Sequence, residues 1–291
     1  MSDRLLVTAP ASSANLGPGF DCMALALELR NEVEVSRDGP AGVEVAGEGA
    51  AETGDDNLFL RAFRAGGGDA DGLRFQLRNA VPFARGLGSS AAAIVAGLVA
   101  ATTWNGDGDR DLLGLAAELE GHPDNVAAAL NGGLTLAWRS DDGVAAIGFG
   151  EPPADFVVVV PEARLSTAEA RAALPDAVPH ADATHTAARA ALLVAAVGSG
   201  DGELLREALD DRLHEPYRVP LVPLLGAVRD LVGGGESVYG ATLSGAGPSV
   251  LVWCRPGDGE AVRERLSSLN GAVARPLAVA VEGARSEWLS R

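Results

Sequence analysis

Hydrophobic and polar positions change their period several times along this chain. Residues 5–9 are apolar and predict a first strand, ended by Pro10, and a polar turn over 11–21 leads to an apolar stretch from Met23 to Leu29. Residues 32–36 and 42–46 alternate, as short strands with one wet face do. Asp55-Asp56-Asn57-Leu58-Phe59 opens a helix behind an Asp or Asn cap. Residues 66–72 read as a loop, and residues 73–81 alternate as a strand. A run of small apolar residues over 90–101 predicts a helix, and residues 109–120 place Leu112, Leu113, Leu115, Ala116 and Leu119 at helical spacing. Asn131-Gly132-Gly133 then turns the chain into a strand over 134–138.

From about residue 151 the pattern shifts. Residues 156–160 are continuously apolar, as in a strand buried on both faces, and Pro161 ends it. Residues 165–175 predict a short capped helix carrying Arg171, and further helices are expected over 184–197, 202–213 and 221–231. A glycine-rich turn over 240–249 feeds a strand over 250–254, followed by a helix near 260–268 and a last strand near 277–281. Strands and helices mix throughout, with no internal repeat and no low-complexity linker.

The stretch Pro82-Phe83-Ala84-Arg85-Gly86-Leu87-Gly88-Ser89-Ser90-Ala91-Ala92 tips a loop directly into the apolar helix. Gly86 and Gly88 permit backbone angles and close approach that a side chain forbids, and Ser89 or Ser90 can cap the helix and offer a hydroxyl. Amides and the positive end of the helix dipole converge there, which attracts phosphate. Many Gly-x-Gly loops bind nothing, so the pattern alone leaves both readings open. The chain contains no lysine, all 23 basic residues being arginine, which excludes a Walker A loop and a protein-kinase site. A nucleotide held here would rely on amides, hydroxyls and a metal.

Four other clusters carry two readings each. Asn15 and Asp21 sit on a turn stiffened by Pro18 and two glycines, which is either punctuation or a platform for a small polar ligand. Glu120-Gly121-His122-Pro123-Asp124-Asn125 is either helix-end chemistry or a site. Arg171 and Arg218 are either solvated or suited to bidentate recognition of a carboxylate. Gly240-Ala241-Thr242-Leu243-Ser244-Gly245-Ala246-Gly247-Pro248 is either a tight hairpin or a support for the loop at 82–92.

These segments resemble the GHMP kinases. The loop has their Pro-x-x-x-Gly-Leu-Gly-Ser-Ser-Ala-Ala form complete. Ala-Ser-x-Ala-Asn-Leu-Gly-x-Gly-Phe-Asp at 11–21, Glu-Gly-His-Pro-Asp-Asn, Ser-Thr-x-Glu-Ala-Arg, Glu-Pro-Tyr-Arg and Ser-Gly-x-Gly-Pro resemble the homoserine kinase branch, from residue 4 to about 254. The resemblance implies an α/β (α+β) fold of two lobes. An N-terminal ATP-binding lobe like ribosomal protein S5 domain 2 would span 1–150, and a ferredoxin-like lobe 151–291, with the site in the cleft between them. It implies ATP with Mg²⁺, and L-homoserine as the acceptor alcohol. Residues 82–92, Asn57, Ser244, Gly245 and Gly247 would hold the nucleotide, and Ser90 and Glu120 the metal, with Glu118 as the alternative ligand. Asn15, Asp21, Asn125, Arg171 and Arg218 would hold the substrate. Catalytic roles fall on Asn125, Ser90 and Glu120, and no general base is assigned, because an amide at 125 cannot accept the hydroxyl proton. Another small-alcohol kinase, for mevalonate or shikimate, and a catalytically silent binding protein of the same fold stay open.

Composition narrows the setting. A formal charge of −17 speaks against nucleic acid and anionic membranes as partners. Acidic excess without lysine resembles the proteins of salt-loving organisms, and a halophilic archaeon is the expected source. Cys22 and Cys254 make neither a disulfide framework nor a zinc site, so a reduced cytoplasmic setting is expected. The longest apolar run is short of the ~20 residues that span a bilayer, and no leader is expected. Oligomeric state is left open, a homodimer among the alternatives.

Overall fold

The computed structural model describes residues 4–108, 110–233 and 235–290, so the expected helix start at Asp109 lies outside the described residues. The chain runs β1 (Arg4–Asn15), β2 (Gly19–Ser36), β3 (Gly42–Gly47), α1 (Leu58–Ala65), β4 (Arg74–Asn79), α2 (Ser89–Asn105), α3 (Leu112–Glu120), α4 (Asp124–Asn131), β5 (Leu134–Ser140) and β6 (Gly143–Gly150). It continues through β7 (Asp155–Pro161), α5 (Thr167–Ala172), α6 (His180–Ser199), α7 (Leu205–Ala208), α8 (Glu215–Arg218), α9 (Pro223–Val232), β8 (Val238–Leu243), β9 (Val250–Cys254), α10 (Gly259–Leu266), β10 (Ala272–Pro276) and β11 (Arg285–Trp288).

Two sheets organise these elements. The first has seven strands, in the order β11-β1-β2-β4-β3, with β5 on the other half of β2 and β6 beyond it. The second is antiparallel, in the order β10-β7-β9-β8. Because β11 pairs with β1, a strand from the end of the chain completes the first sheet. β7 explains its own apolar run. Val157 and Val159 pack with α9 and α10, while Phe156 and Val158 join Leu25, Leu193 and Trp253 on the opposite face. With both faces buried, no polar position survives over 156–160.

Several expectations are corrected. Pro10 does not end the first strand: β1 continues to Asn15 with a register shift at Pro10/Ala11, where the partner moves from Arg30 to Leu27. Proline is tolerated at such a bulge, where the ladder is already interrupted. The turn expected over 11–21 accordingly shrinks to Leu16-Gly17-Pro18. The helix expected over 202–213 is reduced to a 3-10 turn and α7, since Asp211 accepts the amides of Leu213, His214 and Glu215 and pulls the backbone out of helix. Residues 277–281 form only an isolated bridge, Leu27 to Val279. β6, β10 and β11 carry no sequence signal because they are half-buried or exposed edges with little apolar alternation. No described helix is long and apolar enough to cross a membrane.

Candidate active site

A cavity of ≈ 470 Å³ lies where loops of the two sheets meet, lined by 82–90 from one side and by Arg218 and Gly245-Ala246-Gly247 from the other. The loop enters α2 through Gly88, whose φ of +65° is left-handed, and no side chain caps the first-turn amides. The expected serine cap is therefore corrected. With Gly88 as the cap, Ser89 and Ser90 fall inside the helix, where their hydroxyls turn elsewhere: Ser89 Oγ donates to the Val81 carbonyl (3.3 Å), and Ser90 Oγ to Glu120 Oε1 (2.6 Å). The uncapped amides at the positive end of a 17-residue helix make an anion cradle.

Close packing fixes the cradle. A Cβ on Gly86 would fall on the Ser244 carbonyl oxygen, and one on Gly88 on Ser12 Oγ. Ser244 Oγ donates to the Gly86 carbonyl (2.6 Å), and Gly245 N to the Ala14 carbonyl, so the third glycine-rich segment braces the loop. Arg85 straps it to the second sheet through the carbonyls of Pro161 (2.9 Å) and Glu162 (3.2 Å). Asn57 caps α1 by accepting from Phe59 N and Leu60 N, and donates to the Glu52 carbonyl at the cavity wall. Pro82, Phe83, Ala84 and Leu87 line the cavity; Ala91, Ala92 and Ser244 do not, being packed behind it.

α3 ends at Gly121 in the left-handed region, and this presents Glu120 to the cavity. Burial pushes the Glu120 carboxyl up, with the Ser90 hydrogen bond acting against that. Glu118 is exposed and lies outside the cavity lining, so of the two carboxylates Glu120 is the one that faces the cavity. At the start of α4, Asp124 Oδ1 accepts from Asn125 N (2.7 Å) and from His122 Nδ1 (3.1 Å). His122 and Asp124 are thus committed to each other. Asn125 Oδ1 accepts from Ser12 Oγ (2.9 Å), which leaves Nδ2 as the group available to a ligand.

The turn between β1 and β2 is strained: Asn15, Leu16 and Asp21 all have positive φ, of 70°, 50° and 55°. Asn15 holds it, accepting from Asp21 N (3.0 Å) and donating to the Gly245 carbonyl (2.8 Å). Its amide is largely spent on structure. Asp21 receives a bidentate pair from Arg171 (2.7 and 2.9 Å), across from β2 to α5. Arg218 is different. It is 1% exposed, lines the cavity, and among the described residues has no carboxylate partner, only Ala170 O (3.3 Å), His214 Nδ1 (3.2 Å) and Gly245 O (3.5 Å). Desolvation, then the neighbouring Arg171 charge, push the Arg218 guanidinium below its ordinary value. Such a cation could pair with an anionic ligand.

Residue-by-residue reading missed Phe20, Ser12 and His214. Phe20 lies under both guanidiniums, with Arg218 Cζ 5.2 Å and Arg171 Cζ 5.8 Å from its ring. His214 stacks on Phe20 with centroids 5.0 Å apart. It accepts from Arg218 at Nδ1, so its proton sits on Nε2 and is donated to the Gly17 carbonyl (2.8 Å). The only signal for it was its place beside Glu215-Pro216-Tyr217-Arg218. Burial first pushes His214 below its ordinary pKa, with Asp211 and Glu215 opposing. Because the unfolded chain then binds the proton better, this neutral imidazole stabilises the fold above pH ~6.5, and that contribution is lost as pH falls. In thermal melts from pH 7.5 to 5, wild type is expected to lose stability more steeply than His214→Phe, which keeps the stacked ring. Parallel curves would remove the neutral imidazole from the account.

Known proteins resemble the chain along almost its whole length. Family models for the GHMP kinase N-terminal and C-terminal domains match residues 57–133 and 191–271. A homoserine kinase from Leifsonia xyli is 43% identical, covering 95% of this chain and 89% of that protein, and one from Clavibacter michiganensis is 45% identical, covering 96% and 93%. The crystal structure of homoserine kinase from Cytophaga hutchinsonii superposes with a TM-score of 0.84 at 27% identity, covering 99% of this chain and 98% of that one. Identity at this level over nearly the whole length of both relatives places the chain in the homoserine kinase family of the GHMP kinases.

Proposed function

We infer that the protein transfers the γ-phosphoryl group of ATP to the hydroxyl of L-homoserine, giving O-phospho-L-homoserine for threonine biosynthesis. The observation that carries the reading is one cavity with an uncapped helix N-terminus at one wall and the buried, carboxylate-free Arg218 at another. A triphosphate fits the first, through amides of 86–90, and an amino-acid carboxylate the second. Mg²⁺ fits the hard oxygen donors Ser90 Oγ and Glu120, and would neutralise charge across the β- and γ-phosphates. No group of three or more His, Cys, Asp or Glu that could hold a metal occurs among the described residues, and Ser90 and Glu120 would be the side chains that hold the ion.

In this reading Arg218 takes the carboxylate, Asp21 and Arg171, paired with each other in the free site, turn to the substrate's ammonium and carboxylate when it enters, and Asn125 Nδ2 orients the hydroxyl. The hydroxyl oxygen bonds to the γ-phosphorus as the bond to the bridging oxygen breaks and ADP leaves. The hydroxyl proton passes to a phosphoryl oxygen, because His122 and Asp124 are committed to each other. Catalysis then rests on orientation and electrostatics. The lobes 1–150 and 151–291 frame the cleft, with β11 returning to the first. A cytoplasmic, salt-adapted enzyme is part of the same reading, from two free thiols and the lysine-free acidic sequence.

ADP release with MgATP in molar salt, compared across L-homoserine, mevalonate, shikimate and L-serine, tests it. Release is expected with L-homoserine alone. Turnover of another alcohol would overturn the acceptor, and folded protein inert with all four would favour a binding protein.

A further inference from the structure

Four buried side-chain polar atoms lack a hydrogen-bond partner among the described residues: Ser13 Oγ, Asn31 Nδ2, Ser249 Oγ and Arg255 Nε. Of these residues only Asn31 lines the cavity. It is 2% exposed, on β2. Its orientation is fixed, because Oδ1 accepts two backbone amides, Ala80 N (2.9 Å) and Val81 N (3.0 Å), just before the loop at 82–88. A flipped amide would set its NH₂ against both donors. Nδ2 is therefore left without a partner among the described residues, and a buried donor without one costs more than a made hydrogen bond returns.

Its surroundings say what it meets. Glu32 pairs with Arg78 across β2 and β4, so Asn31 and Val33 share a sheet face with Leu77 and Asn79, and all four line the cavity. Ala93 and Ala96 of α2 and Leu58 of α1 supply the opposite wall. The walls around Asn31 are mainly apolar, from Val33, Leu58, Leu77, Ala93 and Ala96, unlike the end that holds Asp21, Arg171 and Arg218. Along α2, Ala96 lies about 10 Å from Ser89 at the usual rise per residue, the length of a ribose and base extending from phosphates at the helix N-terminus. The other two asparagines at this end have their Nδ2 engaged, Asn57 with Glu52 O and Asn79 with Glu48 O.

We propose that Asn31 reads the nucleotide base, its Nδ2 donating to an acceptor nitrogen of the purine ring in the slot formed by Val33, Leu58, Leu77, Ala93 and Ala96. The proposal rests on the ATP reading above. It adds a specificity contact to the phosphate cradle.

Asn31→Asp separates the two halves of the amide, keeping an oxygen for Ala80 N and Val81 N while replacing the donor with an acceptor. KM for MgATP is expected to rise by about tenfold or more, since a donor becomes a repulsive acceptor. Inhibition by magnesium tripolyphosphate, which has no base, and KM for L-homoserine should stay within about twofold. Should the variant fold poorly, wild type answers alone: of 1-deaza-, 3-deaza- and 7-deaza-ATP, the analogue lacking the contacted nitrogen should bind about tenfold more weakly than ATP. Unchanged KM for MgATP in the variant, equal weakening of tripolyphosphate, or three analogues equivalent to ATP on wild type would each overturn the assignment. None of those results touches phosphoryl transfer itself, which the acceptor assay decides.

Discussion

Glu120→Gln is expected to lower kcat by ~10²–10³-fold, the usual cost of removing one group that neutralises charge developing in a transition state. The substitution keeps the volume of the side chain and an oxygen to accept from Ser90 Oγ, 2.6 Å away, so it tests the charge and little else. Burial already holds the carboxyl above its ordinary pKa, which means that folding disfavours its ionised form. A raised carboxyl pKa makes stability fall as pH rises from ~4.3 through the folded value. Removing the charge should leave the melting temperature at pH 7 unchanged or raise it. A structural carboxylate would give the opposite pair of results, lower stability with turnover kept. Steady-state kcat with saturating MgATP and L-homoserine, beside a thermal melt, separates them, and a kcat within threefold of wild type would falsify the metal-holding role.

The same residue shows how far the sequence could be read. Glu120 and Ser90 stand 30 positions apart in two helices, and the resemblance named them both, but only the left-handed glycines that open α2 at Gly88 and close α3 at Gly121 explain why they meet. The cap assignment at Ser89 or Ser90 failed because a glycine in the left-handed region took the cap position, and a residue's φ is not written in its neighbours' hydrophobicity. Long apolar elements such as α2 and β7 were legible from burial on one or both faces. The exposed strands β10 and β11 were not, since their pairing is backbone to backbone and leaves little pattern in side chains. His214, Phe20 and Asn31 share a further reason for being missed. Each acts through a contact more than 180 residues away in sequence, or through an atom left without a partner, and neither is visible until β1, β2 and α8 are brought together.

Arg218→Met is expected to raise KM for L-homoserine by ~10²–10³-fold, the scale on which a buried charge pair fails when one partner is removed. KM for MgATP should not move. Met keeps the apolar stem that packs over Phe20 and loses the guanidinium, so packing and charge are separated as well as one substitution allows. Without ligand, this guanidinium is desolvated and has no ion-pair partner among the described residues, so the pull of Asp21, Asp211 and Glu215 offsets its burial only in part. Losing it should therefore cost the apo fold little, whereas Arg171→Met would strand Asp21, whose two oxygens Arg171 occupies. Arg218→Lys is not expected to rescue binding. One ammonium cannot reach His214 Nδ1 and Ala170 O and still present two parallel donors to a carboxylate. The decisive comparison uses 3-amino-1-propanol, which is L-homoserine without its carboxylate. Wild type should prefer L-homoserine in kcat/KM by a wide margin, and Arg218→Met should lose most of that preference, because the missing anion and the missing cation are one interaction. If the variant is slower but discriminates as well as wild type, Arg218 shapes the cleft and the carboxylate is held by Arg171 alone.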